Sequence, residues 1–355
     1  MGAGAIDRQQ ELLEEQELLE DLHRAVRAQC SDHLHHLQEA AARLHRAGGR
    51  LFLTGGAIRD AFFGRQPSDI DLVADLPLEK LARIFPQHTR WGRRFDSLRI
   101  ELQGQFFELS SLRQSGCSAA GPFAYLGGGV EYAGRSVHAD ALLRDLTIHS
   151  IYMDLFSGQI HDPCHGLRDL SAHRIKFVGT PEASLTHDPI RALRALRIAA
   201  RHRLSIEAEL IAPLQNALDV TGPDPRAHYE LYRALIDPSV AVFLGLLEAI
   251  DRLSGFLIPS QIDPARAKHA LYLGTEMLNP VSGKIRNLEA ALAVLLLPTA
   301  VSTWARDQSA NDAERTCRTL AAAVLPGLLT TSQQASLEAR WMHWFRSRAA
   351  MPANA

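Results

Sequence analysis

Early in the chain, apolar residues recur at helical spacing. Leu12, Leu13, Leu18, Leu19, Leu22, Val26, Leu34, Leu37, Ala41 and Leu44 predict a helix over residues 5–47, with acidic faces at its start. Gly48-Gly49 then closes it as a C-cap. From 50 to about 180 the runs shorten and look β-like: Leu51 to Leu53, Ile70 to Val73, Leu98 to Leu102, Phe106 to Leu109 and Ser150 to Asp154. Turn residues separate them, which predicts an α+β or α/β unit. The Gly- and Ser-rich stretch from Cys117 to Gly134 predicts a loop. Its Gly127-Gly128-Gly129 lacks the strand and lysine of a phosphate-binding loop. From about 184 onward the spacing is helical, with Pro and Gly at the joints, to a frayed end near Ala349. No internal repeat is evident.

Composition adds exclusions. Of 355 residues, 46% are hydrophobic and 22% charged, so a sizeable core can form and wholesale disorder is excluded. The net charge of −2 excludes a uniformly basic coat but not a local basic patch. Cys30, Cys117, Cys164 and Cys317 lie far apart, which argues against a disulfide scaffold or structural zinc site. The acidic amino terminus has no leader-like apolar region, and the run from Ala290 to Leu297 stops at Pro298, short of the ~20 residues a membrane span needs. The expectation is a soluble cytoplasmic protein without membrane partners. Oligomeric state is not readable.

Chemistry concentrates in Leu51 to Asp75. A strand enters Thr54-Gly55-Gly56, and a helix carrying Arg59 and Asp60 follows. Paired glycines let backbone approach a bulky anion, and the helix start behind them points N–H groups at it. Asp69 and Asp71 follow at i and i+2 on an expected strand, which puts both carboxylates on one face. Adjacent carboxylates repel unless a cation sits between them, and Mg²⁺ is the obvious candidate. Two metal ions facing a triphosphate cradle would perform nucleotidyl transfer. Glu108, an acid inside the apolar strand Phe106 to Leu109, is favoured as third carboxylate over Glu101, on the expectation that it is buried and needs a partner.

A second dense region follows. Asp188-Pro189 makes a good start for a helix bearing Arg191, Arg194, Arg197 and Arg201 within an arc of about 120°. Ala192, Leu193, Leu196, Ala199 and Ala200 fall opposite. An arginine front over an apolar back, without Glu or Lys, predicts contact with phosphate or base. The clusters His33, His35, His36 and His161, Cys164, His165 are read as helix-surface and turn residues, not metal sites. His187-Asp188 lacks the further His and Asp of a phosphohydrolase pair.

Together these motifs resemble a known family. Gly55-Gly56-x-Ile58-Arg59-Asp60, Gly64, Asp69-x-Asp71, Gly92-Arg93-Arg94-Phe95, Arg144-Asp145-x-Thr147-Ile148, Asp162-Pro163, Val178-Gly179-x-Pro181 and Asp188-Pro189-x-Arg191-x-x-Arg194-x-x-Arg197 occur in the order found in bacterial tRNA CCA nucleotidyltransferases and poly(A) polymerases, within the polymerase-beta-like nucleotidyltransferases. Pro225-Arg226 with Glu230-Leu231 resembles the next helical motif, so the resemblance spans roughly residues 50–260. It implies an α+β head with a mixed β-sheet followed by an all-helical neck and body. The expected divisions are a helical extension (1–48), a catalytic head (49–180), a neck binding nucleotide and RNA (181–260), and a body or tail (261–355).

Further implications are carried position by position. Asp69 and Asp71 would hold catalytic Mg²⁺, with Glu108 as third carboxylate. Gly55, Gly56 and Arg59 would help hold the triphosphate. Arg144 and Asp145 would read ribose and phosphates, and Asp188 and Arg191 would pair with the base, with Arg194 and Arg197 completing the nucleotide-binding set. Four positions depart from the pattern: Leu143 stands for an arginine, Leu146 for a phenylalanine, His149 for an asparagine and His187 for a glutamate. The metal carboxylates are intact. The resemblance implies template-independent transfer of CMP and/or AMP from CTP or ATP to an RNA 3′ end, with tRNA as the leading acceptor. The alternatives are poly(A) tailing or another acceptor, and a non-catalytic RNA-binding descendant.

Overall fold

The computed structural model describes residues 3–91, 97–113, 135–221, 224–253, 273–275, 277, 288–296 and 329–349. Gly92 to Phe95, the segment from Cys117 to Gly134, and Cys317 lie outside the described residues. The chain divides into two compact units, Met1–Ser184 and Leu185–Ala355.

In the first unit, the expected single N-terminal helix is two: α1 (Ala3–Gln29) and α2 (Ser31–Arg46), interrupted at Cys30. Cys30 has φ −109° and ψ 12°, outside the helical region, and it is fully buried. Helix α2 ends as the paired glycines predict: the Gly49 and Gly48 N–H groups donate to the Leu44 and His45 carbonyls at 2.9 and 3.0 Å. That is the double bond pattern of a left-handed helix terminus, with Gly48 at φ 77°.

The strands that follow are β1 (Leu51–Thr54), β2 (Asp71–Ala74), β3 (His88–Trp91), β4 (Ser97–Leu102), β5 (Gln105–Ser111), β6 (Tyr152–Asp154) and β7 (Ile160–His161). They form one mixed sheet in the order β3-β4-β5-β2-β1-β6-β7, in which only the β2–β5 pairing is parallel. Between them, among the described residues, lie the helices α3 (Gly56–Phe62), α4 (Leu78–Ile84) and α5 (Val137–Leu142) and a 3₁₀ turn (Thr147–His149); α6 (Gly166–Ser171) follows β7.

The period-2 alternation of strands gives the sheet two unlike faces. Leu51, Leu53, Leu72, Leu98, Ile100, Phe107 and Leu109 are all buried and share one face. Helix α2 packs there, and its His33 ring lies edge-on to Phe107 at 5.7 Å while its Nδ1 meets Gln105 Oε1 at 2.8 Å. Helix α1 packs on α3 and α2, burying Leu22 and Val26. On the other face, α5 covers only one end: Phe52, Val73, Leu112 and Tyr152 pack with Val137 and Ala141. The rest of that face carries mainly polar residues, with an exposed Phe106 among them, and it holds the candidate site.

In the second unit, α8 (Ile190–His202) packs against α9 (Ile211–Asp219), α10 (Pro225–Leu235) and α11 (Val240–Ala249). Helix α7 (Pro181–His187) straddles the boundary of the two units. Helix α10 also packs on α12 (Leu288–Leu295), and α12 on α13 (Thr331–Ala349). The buried Trp341 of α13 donates its Nε1–H to the Ala293 carbonyl at 3.0 Å. No described helix is long and apolar enough to cross a membrane.

Candidate active site

Strand β1 delivers the chain into Gly55, which adopts φ 70°, ψ −133°. That region is open to glycine and strained for other residues. A Cβ at Gly55 would lie 3.3 Å from Asp71 Oδ2 and 3.5 Å from Arg144 Nη1. Three sequence-predicted residues from distant segments thus converge: the glycine turn, a carboxylate and an arginine.

Asp71 opens β2 and is exposed. Its register partner on β5 is Glu108, so the two acids stand side by side on the face opposite the α2 layer. The expectation of a buried Glu108 is corrected. Phe107 and Leu109 point into the helix-covered core, which turns Glu108 out, where Ser97 Oγ donates to it at 2.9 Å. Glu101 pairs in register with Phe106, two positions further along. Asp69 is also exposed, in a bend before β2 and not on the strand itself. The Ser68 hydroxyl donates to it at 3.1 Å. Among the described residues no three His, Cys, Asp or Glu side chains form a ready metal cluster.

Arg144 is held from below by a buried network. Its Nε donates to Asp140 Oδ2 (2.9 Å) and to the Tyr152 hydroxyl (2.8 Å), and Tyr152 donates to the same Asp140 oxygen at 2.7 Å. Arg113 binds the other Asp140 oxygen at 2.7 Å. Burial alone would raise the Asp140 carboxyl. The Arg144 and Arg113 guanidinia outweigh it and hold the group well below the usual carboxylate range. Burial pushes the Tyr152 phenol well above its ordinary value, so it stays a donor. Sequence reasoning missed Asp140 and Tyr152 as supports; nothing in their local pattern marks them.

Arg59 sits behind the glycine turn. It is 7% exposed, and its guanidinium is divided between Asp60 Oδ1 (2.9 and 2.6 Å) and His149 Nε2 (2.6 Å). Asp145 Oδ1 accepts from the Leu146 N–H at 2.8 Å and meets His149 Nδ1 at 2.9 Å. The Asp162-Pro163 turn caps α6, with both Asp162 oxygens accepting N–H groups of Gly166 and Leu167 at 2.7 and 2.9 Å.

The second unit revises the picture of an open arginine front on α8. Arg197 is buried and donates to Glu230 Oε2 at 2.7 Å; Arg194 lies 3.9 Å from the same carboxylate. Arg201 pairs with Asp237 at 3.0 Å. The acids missing from α8 come instead from α10 and the turn after it. Arg191 is partly exposed. Asp188 Oδ2 accepts from Arg226 at 3.0 Å, while its Oδ1 is buried with no hydrogen bond among the described residues. His187 is exposed at the end of α7.

Comparisons agree with this architecture. Residues 51–176 match the poly A polymerase head domain. Poly(A) polymerase I of Salmonella typhi is 28% identical over 191 residues, covering 52% of this chain and 41% of that protein. The CCA-adding enzyme of Bacillus licheniformis is 31% identical over 184 residues, covering 51% and 43%. The chain thus spans less than half the length of these curated relatives. The solved Thermotoga maritima CCA-adding enzyme complexed with tRNA shares the fold over 88% of this chain and 80% of its own, with a TM-score of 0.57 and 18% identity. Over residues 51–176, the chain is thus similar to the poly A polymerase head domain, and over about half of its length to its poly(A) polymerase and CCA-adding relatives.

Proposed function

We propose that this protein transfers CMP and/or AMP from CTP or ATP to an RNA 3′ end without a template, with a tRNA end as the foremost acceptor. One observation carries the reading: the exposed Asp71 and Glu108 stand in register on one sheet face, and both Asp71 and Arg144 lie against Gly55. The relatives support it, because they bear the names of enzymes that add nucleotides to RNA ends.

The donor set fits Mg²⁺. It consists of exposed carboxylate oxygens, and Mg²⁺ takes one or two carboxylates and completes its shell with substrate phosphates and water. Asp69 and Asp71 would hold it, with Glu108 beside them. When bound, it would activate the attacking hydroxyl and neutralise charge on the phosphates. In the reaction, the RNA 3′-hydroxyl oxygen forms a bond to the α-phosphorus and the α–β anhydride bond breaks. The hydroxyl proton is lost, and pyrophosphate departs with the bonding electron pair. Gly55 and Gly56 admit the triphosphate to backbone N–H groups at the start of α3. Arg144, aimed by Asp140 and Tyr152, supplies a fixed positive charge beside the carboxylates. Arg59 supports the turn from behind, and Asp145 reads the sugar. Asp188 Oδ1 is an acceptor suited to the exocyclic amine that C and A share, with Arg191 alongside as a donor. This reading places the enzyme in the cytoplasm with its RNA.

The test is label transfer from CTP or ATP to tRNA lacking its 3′ end, with an Asp69→Ala/Asp71→Ala control. Transfer by the parent protein and none by the control is expected. No transfer with either nucleotide, or transfer that survives the double substitution, overturns the assignment. Tailing is the second reading, favoured by the likeness to poly(A) polymerase I.

A further inference from the structure

His149 is 3% exposed and contacts two residues of the candidate site. Its Nε2 lies 2.6 Å from Arg59 Nη1, and its Nδ1 lies 2.9 Å from Asp145 Oδ1. A guanidinium has only donors, so Nε2 must accept. The ring proton then sits on Nδ1 and is donated to Asp145. Only a neutral imidazole in this tautomer makes both bonds.

The resulting chain runs Asp60–Arg59–His149–Asp145. One end stands on α3, the helix that the Gly55 turn opens. The other is the neighbour of Arg144, whose Nη1 also donates to the His149 carbonyl at 3.0 Å. The glycine turn and the Arg144-Asp145 segment are far apart in sequence, and this imidazole links them through Arg59, whose guanidinium lies against Gly56, and through Asp145.

We propose that His149 is a positioning residue for the nucleotide: it locks the glycine turn to the Arg144-Asp145 segment, so that triphosphate and sugar are gripped in one fixed relation. The proposal rests on the reading of the site given above. Protonation would place a second ring N–H against the Arg59 guanidinium and break the lock. Among the described residues, the charged groups around the ring include Arg59 and Asp60 from α3, and Arg144 and Asp145 from the segment before the 3₁₀ turn. Helix α6, also packed on that turn, brings Asp169, bound by Thr147 and Arg174 at 2.6 and 2.7 Å, and the exposed Arg168. A side-chain amide could make the same two bonds, its carbonyl accepting from Arg59 and its NH₂ donating to Asp145, without titrating.

The experiment measures CTP and ATP binding by calorimetry in the presence of Mg²⁺, from about pH 5 to pH 8, and steady-state KM for nucleotide and for RNA. His149→Ala is expected to weaken nucleotide binding about tenfold or more, raising nucleotide KM and leaving RNA KM unchanged. His149→Asn is expected to restore most of the loss. The parent protein should lose nucleotide affinity as pH falls and the ring protonates, and His149→Asn should not. Parent-like binding by a folded His149→Ala protein, or the same acid loss in His149→Asn, overturns the proposal. If His149→Ala does not fold, the pH comparison of the parent and His149→Asn decides alone. A parent protein that binds neither nucleotide at any pH overturns the reading of the site itself, and this inference with it.

Discussion

Gly55 is the residue on which the site geometry turns. Its backbone occupies a region strained for any side chain, and a Cβ there would press on the Asp71 carboxylate. Gly55→Ala should therefore cost about 1–3 kcal/mol of local strain and shift Asp71. The expected result is a lower denaturant midpoint and at least an about tenfold fall in kcat, with the circular dichroism spectrum retained. Asp140 acts at the same scale but through charge. It is 2% exposed and serves two arginines and a phenol. Asp140→Asn should destabilise the protein by about 3–5 kcal/mol, because it leaves the buried Arg144 without its counter-charge. Its native carboxyl is held below its unfolded value of about 3.9. Its contribution is therefore fully present above that value and is lost as pH falls toward the native one. Urea melts at neutral and acid pH should show a smaller acid-side loss in Asp140→Asn than in the parent protein.

At the scale of elements, the two N-terminal helices fall in the same compact unit as the sheet and pack on it and on α3. Leu22, Val26, Leu37 and Leu44 are fully buried, and burial of each is worth about 1.5–3 kcal/mol. Their sum rivals the whole stability of an ordinary domain. Deleting residues 1–47 should give aggregated or unfolded protein, read by size exclusion and circular dichroism. A soluble, cooperatively melting product would show that the sheet face needs no cover. The strands β1, β2, β4, β5 and β6 were legible because each carries its own apolar run with turn residues beside it. β3 and β7 were not, since His88–Trp91 and Ile160–His161 have too little apolar pattern and are strands only because β4 and β6 offer them partners. The break at Cys30 was also hidden, because apolar spacing continues across it.

For the whole molecule, the near-zero net charge conceals local pairing more than local excess. Three of the four arginines read as one front on α8 lie beside acids from α10 or the turn after it. On the same helix Arg191 is partly exposed and Arg194 exposed. An enzyme that completes a defined end and one that tails differ in product length. On tRNA lacking its 3′ end, one to three added nucleotides on a sequencing gel are expected, and a long ladder would transfer the assignment to tailing. The sequence by itself determined the local elements that carry the candidate residues: the Gly55 turn, the start of α3 behind it and the strand that Asp71 opens are readable because a turn, a strand or a helix start depends on neighbouring residues, whereas Asp69 falls in the bend before that strand. Only the tertiary structure decided the partners. The Asp71–Glu108 register, the grip of Asp140 and Tyr152 on Arg144, the His149 lock and the burial of Arg197 on Glu230 each join residues distant in sequence. Hydrogen bonds and ion pairs act over a few ångströms of space, and spacing along the chain carries no record of which distant groups folding brings within that reach.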